Sequence, residues 1–156
     1  MANIYFLTWH TYGTWLHGDS RGSVDAEHNE LNAPLAPDDP DRRSRMQALL
    51  KHPPVVLSDR ARELVEATIR RHCEVRDWRL WAVSVRSNHV HVVVGCPPEV
   101  SPERAMEQFK AWGTRRLREA GLLEPERTVW VEHGSTRWIK TEESLAQVVD
   151  YVENRQ

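Results

Sequence analysis

Apolar positions fall into short runs and helical stripes that divide this chain into seven or eight elements. Ile4-Tyr5-Phe6-Leu7-Thr8-Trp9 is a continuous aromatic and β-branched run ahead of a polar stretch, which predicts a buried opening strand. From His17 to about Pro54 the pattern is lost. Gly18, Asp19, Gly22, Asn29, Asn32, Pro34, Pro37 and Pro40 punctuate an excursion, spanning 17–57 at its widest, in which only Asp41 to His52 suits a short helix. Ser58 then stands as the N-cap of a helix whose stripe runs Ala61, Leu64, Val65, Thr68, Ile69, His72 and Cys73.

Two strand-like runs follow, 79–86 and 89–94, joined by Ser87-Asn88, whose side chains suit a tight turn. This hairpin is expected at the centre of a sheet. Ser101-Pro102 opens a second helix, with Met106, Phe109, Trp112, Leu117 and Ala120 on its apolar side and Gly121 stopping it. Thr128–Val131 and Thr136–Ile139 read as two strands linked by His133-Gly134-Ser135. Thr141 caps a last helix, with Glu142 and Glu143 at its positive end and Leu145, Val148, Val149 and Val152 as its stripe. Helices alternate with strands, but the hairpin makes the sheet at least partly antiparallel. The pattern therefore predicts an α+β sandwich of ferredoxin or RRM type, with helices packed on a mainly antiparallel sheet.

Length and composition narrow the class. At roughly 100–200 residues per domain, 156 residues make a single domain, 1–156. Hydrophobic residues are 40% and charged residues 28%, ordinary for a globular protein. The net charge of −2 excludes a wholly basic nucleic-acid coat. It also conceals a segregation: Asp19 to Asp41 carries −6, which leaves +4 on the rest. Two cysteines are too few for a stapled secreted scaffold, the N-terminus lacks the pattern of a secretory signal, and no apolar run is long enough to span a bilayer. A reducing cytoplasm is the expected compartment, with no membrane partner.

The candidate chemistry lies in the second half of the chain. His89-Val90-His91 sits in a predicted strand, so both imidazoles project to one face a pleat apart, close enough to share a divalent ion. A bare His-x-His equally suits two strand histidines hydrogen-bonded on a half-buried face. Tyr151 lies about 100° from Val152 on the last helix, so its ring can lean on the core while its hydroxyl reaches outward. A structural tyrosine at a helix–sheet boundary is the commoner occupant of such a position.

Taken together, Ser87-Asn88-His89-Val90-His91-Val92-Val93-Val94 and Asp150-Tyr151-Val152-Glu153-Asn154-Arg155-Gln156 closely resemble the HUH-type single-tyrosine transposases of bacterial insertion sequences, in particular the REP-associated branch. Residues 6–18 are similar to that branch's opening strand and loop, and Lys110-Ala111-Trp112 fits its middle helix. The resemblance implies a dimeric DNA strand transferase acting on single-stranded, hairpin-forming DNA. It further implies that His89 and His91 bind Mg²⁺ or Mn²⁺ and that Tyr151 attacks the scissile phosphate, giving a 5′-phosphotyrosine and a free 3′-hydroxyl. The partner subunit's helix can supply the tyrosine in that family. A phenol ionises near pH ~10 in water, so a metal that lowers the charge barrier at the phosphate suits it as a nucleophile.

This sequence departs from the family at the third metal ligand. The family's Gln or Asn lies one turn beyond the tyrosine, where Arg155 stands here and cannot ligate. Gln156 is the expected ligand, with Asn154 as the alternative: an ideal helix sets Asn154 about 60° and Gln156 about 140° from Tyr151. Arg86, Lys110, Arg115, Arg116 and Arg137 are the candidate phosphate contacts, although the middle helix interleaves its cations with Glu103, Glu107 and Glu119 as a solvated face does. Trp9, Trp81 and Trp112 read as core, and Trp15 and Trp138 as contacts to DNA or a partner subunit. His10, His17, His28, His52, His72 and His133 read as scattered surface or boundary residues, with His133 and Glu132 a possible outer shell of the site. Cys73 and Cys96 read as packing residues.

Three other functions compete. A histidine-triad nucleotide hydrolase needs a third histidine where Val93 stands. A replication or mobilisation nuclease of the HUH type is usually longer. A non-catalytic RRM-like module that binds single strands through its sheet remains the main alternative.

Overall fold

The computed structural model describes residues 2–13 and 53–154. The Asp41–His52 helix, most of the 17–57 excursion, Trp15, Arg155 and Gln156 lie outside them.

The elements run β1 (Asn3–Thr11), α1 (Asp59–Arg76), β2 (Arg79–Val85), β3 (His89–Cys96), α2 (Pro102–Glu119), β4 (Trp130–Ile139) and α3 (Glu142–Asn154). The caps are those the sequence predicts. Ser58, Ser101 and Thr141 each accept from the backbone N–H three residues on, at 3.1 Å, satisfying a donor that a helix start otherwise leaves open. Gly121 ends α2 with φ +73°, and Leu122 N–H bonds back to the Leu117 carbonyl at 2.9 Å.

The four strands form one antiparallel sheet in the order β2-β3-β1-β4, an α+β fold of the expected type. β2 and the adjacent β3 do form a hairpin, with Arg86 N–H bonded to the His89 carbonyl at 2.8 Å. Of these two, however, β3 alone is internal. β1 inserts between β3 and β4, and β2 forms an edge.

The two faces are covered unequally. Tyr5, Leu7 and Trp9 of β1 with Val90, Val92 and Val94 of β3 pack beneath α1 and α2, around Val65, Ile69, Phe109 and Leu117. Phe6, Val93 and Ala82 face the opposite way and meet Val148 and Val152 of α3. The alternation along β1 and β3 thus gives α3 a small apolar platform, and the polar positions Thr8, His89 and His91 continue that same face beyond it.

Two elements differ from the sequence expectation. The region expected to be two strands around His133-Gly134-Ser135 is one continuous strand, β4, pairing with β1 from Ile4↔Ile139 to Thr11↔Trp130. Gly134 is required by close approach rather than by a turn. A Cβ there would lie 2.4 Å from the Thr8 carbonyl oxygen and 2.9 Å from Met106 Sδ. The register shifts just beyond, leaving 131–133 opposite His10 alone, a bulge of the kind strand glycines often mark.

Trp112, expected in the core, is exposed on α2. Gly113 takes the inward position instead, and the Trp130 indole fills the space, its Cζ2 at 3.4 Å from where a Cβ would stand. Ala120 is exposed as well, at the helix cap. Trp81 is half-buried beneath the Arg79 guanidinium, which lies 3.8 Å from its ring centre. Cys73 and Cys96 are buried, and burial pushes both thiols up to about 12, which suits packing residues.

Candidate active site

The β2–β3 turn fixes where the histidine pair begins. Asn88 accepts from Thr11 N–H at 3.0 Å and Ser87 from Leu57 N–H at 2.7 Å through their backbone carbonyls, so β1 and the segment leading into α1 both grip the turn. His89 and His91 then alternate onto the α3 face, their ring centroids 4.9 Å apart. His89 Nδ1 donates to Asn88 Oδ1 at 2.8 Å, and His91 Nδ1 lies 2.8 Å from the Thr8 hydroxyl.

Tyr151 arrives from α3. Val148 and Val152 anchor that helix on the sheet, and Tyr151, one position off their stripe, is 38% exposed. Its ring meets His91 edge-on, with centroids 5.6 Å apart, and Phe6 at 6.4 Å. The helix and the strand therefore bring together the three side chains singled out in the sequence.

His91 is buried, and burial first, then repulsion of a proton by His89, His10 and Arg86, pushes its imidazole down to about 3. It stays neutral across ordinary pH, the state in which imidazole ligates a metal. A neutral His91 with His89 on the same face, each with Nδ1 engaged by a neighbour, fits a divalent ion bound through Nε2. Among the described residues no group of three His, Cys, Asp or Glu side chains is placed to hold an ion. The pair thus suits an ion that takes its remaining ligands from elsewhere, such as phosphate oxygens and water.

Sequence reasoning missed His10. It is the Cα partner of His89, and their rings lie 5.7 Å apart, a placement that depends on the β1–β3 register. His72, read as a surface or boundary residue, is buried between α1 and α2, with Nε2 2.7 Å from Gln108 Oε1 and its ring against Trp78 and Phe109. His133 and Glu132 are exposed in the β4 bulge.

The basic residues separate. Arg86 lies close enough to act on His91, and Arg137 lines a groove of about 380 Å³ between α3 and β4 with Phe6, Ser144, Gln147 and Tyr151. Lys110, Arg115 and Arg116 stand on α2, across the sheet. The Lys110 ammonium donates to the Val131 and Glu132 carbonyls at 3.0 and 3.3 Å, and burial lowers its pKa. Arg115 and Arg116 both pair with Glu119. Trp138 is 52% exposed at the β4 edge. Asn154 donates to Asp150 Oδ1 at 3.0 Å.

Comparison with known proteins adds two likenesses of fold and one of family. A crystal structure of a candidate transposase from Deinococcus radiodurans R1 is similar over all of this chain and 92% of its own, at 18% identity and a TM-score of 0.56. A REP-associated tyrosine transposase bound to a REP hairpin is similar over 96% of this chain and 64% of its own, at 13% identity and a TM-score of 0.51. No curated protein matches the sequence. The model of the family described as "Transposase IS200 like" matches residues 49–155, which take in the histidine pair, the tyrosine helix and, between them, α2 and β4. The chain belongs to the IS200-like transposase family.

Proposed function

We propose that this protein cleaves and rejoins single-stranded DNA at hairpin-associated sites through a covalent bond to Tyr151. The observation that carries this reading is the meeting of Tyr151 with His91, at 5.6 Å between ring centroids, from two elements far apart in the chain. A half-exposed phenol beside a buried, neutral imidazole, with a second imidazole next to it, is an arrangement that packing alone does not call for. Membership of a transposase family and the hairpin bound by the REP-associated relative support DNA as the substrate.

In this reading the Tyr151 oxygen attacks a scissile phosphorus. A bond forms between phosphorus and the phenol oxygen while the bond to the 3′-oxygen breaks. The phenol loses a proton and the departing 3′-oxygen gains one. The product is a 5′-phosphotyrosine with a free 3′-hydroxyl, and exchanging one phosphodiester for another keeps the step reversible, so strands can be rejoined. His89 and His91 would hold Mg²⁺ or Mn²⁺, with Gln156 or Asn154 as a further ligand. When bound, such an ion supplies charge neutralisation at the phosphate and orients it for attack. Arg86 and Arg137 take the flanking phosphates on the α3 face, and Lys110, Arg115 and Arg116 make more distant contacts. A homodimer completes the assembly.

The test is cleavage of an end-labelled stem-loop oligonucleotide with Mn²⁺ or with EDTA. Cleavage should require the metal and fall by more than about 10²-fold in His89→Ala and His91→Ala, as expected when transition-state charge stabilisation is removed. Hairpin binding should persist in both variants. Tight binding without cleavage by the wild type, unaffected by chelator, would instead identify a non-catalytic single-strand binder.

A further inference from the structure

Thr8 and His91 are Cα partners across the β1–β3 ladder, and both strands are internal to the sheet. The Thr8 hydroxyl is 2.8 Å from His91 Nδ1. Backbone pairing on both sides fixes this geometry, and a β-branched side chain has little rotamer freedom with which to leave it. At the other histidine, Asn88 Oδ1 is 2.8 Å from His89 Nδ1. A carboxamide oxygen only accepts, so Nδ1 of His89 carries a proton, and the neutral ring then has its lone pair on Nε2. A hydroxyl works in either direction, so hydrogen-bond chemistry alone allows His91 two tautomers. Only one gives His91 the same lone-pair nitrogen as His89.

We propose that Thr8 is a positioning residue: its oxygen accepts from His91 Nδ1–H and holds the ring in the tautomer that presents Nε2 as a ligand atom beside His89. This rests on the reading of the two histidines as metal ligands. Thr8 and Asn88 are then equivalent devices, one across the ladder and one in the turn, which orient the two imidazoles before any ion arrives. Ligand histidines commonly have their second ring nitrogen engaged in this way, and losing that partner typically weakens metal binding by about 10–100-fold. With the hydroxyl reversed, donating to Nδ1, the ring proton would sit on Nε2 and block it as a ligand.

The direct test reads the tautomer rather than activity. In metal-free, ¹⁵N-labelled protein at pH 7.5, two-bond ¹H–¹⁵N correlations distinguish protonated from unprotonated ring nitrogens, and both histidines should show Nδ1–H with bare Nε2. Thr8→Val, nearly isosteric and compatible with a strand, should shift His91 toward the Nε2–H form and weaken calorimetric Mn²⁺ binding by about 10–100-fold. Thr8→Ser should restore the tautomer and most of the affinity. An Nε2–H tautomer at His91 in the wild type, or a Thr8→Val protein with unchanged tautomer and Mn²⁺ affinity, would overturn the assignment. Wild-type protein with the stated tautomers that binds no Mn²⁺ would uphold the Thr8 hydrogen bond and overturn the metal-site reading on which its role depends.

Discussion

Keeping His91 neutral has a cost in acid that metal-free protein should reveal. In the unfolded chain a histidine takes up its proton near pH ~6.5. In the fold, burial first, then repulsion from His89, His10 and Arg86, hold His91 unprotonated down to about 3. Between those values the unfolded state binds more protons, so stability rises with pH, is fully present above the upper value and is lost as pH falls toward the lower. The loss is on the order of a few kcal/mol, at 1.4 kcal/mol for each unit of separation. In urea titrations with chelator present, His91→Gln should lose less stability than wild type between pH 7.5 and 4.5, and equal losses would contradict this account. His89, His91 and Tyr151 were legible in the sequence because strand parity and helix rotation are local rules. His10 was not, because its place beside His89 depends on which residue of β1 pairs with which of β3. The roles of Thr8 and Asn88 depend on that same register and on the turn geometry.

At the scale of elements, two glycines separate steric from conformational need. Gly134→Ala would drive a methyl group to 2.4 Å from the Thr8 carbonyl oxygen, a backbone atom that cannot move without breaking the β1–β4 ladder. It should cost about 1–3 kcal/mol or more, as overpacking does, and disturb the strand that carries Thr8. Gly121→Ala meets nothing within 4 Å, but its φ is +73°. It should cost about 1 kcal/mol through backbone strain alone. Thermal melts of the two variants should rank accordingly, and a reversed order would refute the distinction. A glycine between histidine and serine looks the same in sequence whether it turns the chain or admits a crossing backbone, which is why β4 read as two strands. Trp112 misled for a related reason. Gly113 carries no hydropathic signal, yet it occupies the inward position because Trp130, seventeen residues on, fills the space above it. Caps were legible throughout, since each needs only a side chain and a backbone N–H three residues away.

For the molecule as a whole, the sheet separates two surfaces that the charge pattern alone could not assign. Tyr151, Arg137 and the histidine pair share the α3 face, whereas Arg115 and Arg116 lie across the sheet and share the Glu119 carboxylate. Arg137→Ala should therefore weaken single-strand binding and reduce the slope of log K against log salt by about 0.7, the loss of one phosphate contact. Arg116→Ala should change the slope less, and equal slopes in fluorescence-anisotropy titrations would remove the distinction between faces. The α+β order was legible because the helical and strand periods alternate cleanly. The insertion of β1 between β3 and β4 was not, because strand order is set by long-range pairing. The most direct test of the central claim is to incubate the protein with a stem-loop oligonucleotide and Mn²⁺, denature it, digest it and locate the modified residue by mass spectrometry. The account predicts a nucleotide phosphate on Tyr151 and none in Tyr151→Phe; an adduct on another residue, or one that persists in Tyr151→Phe, would contradict it.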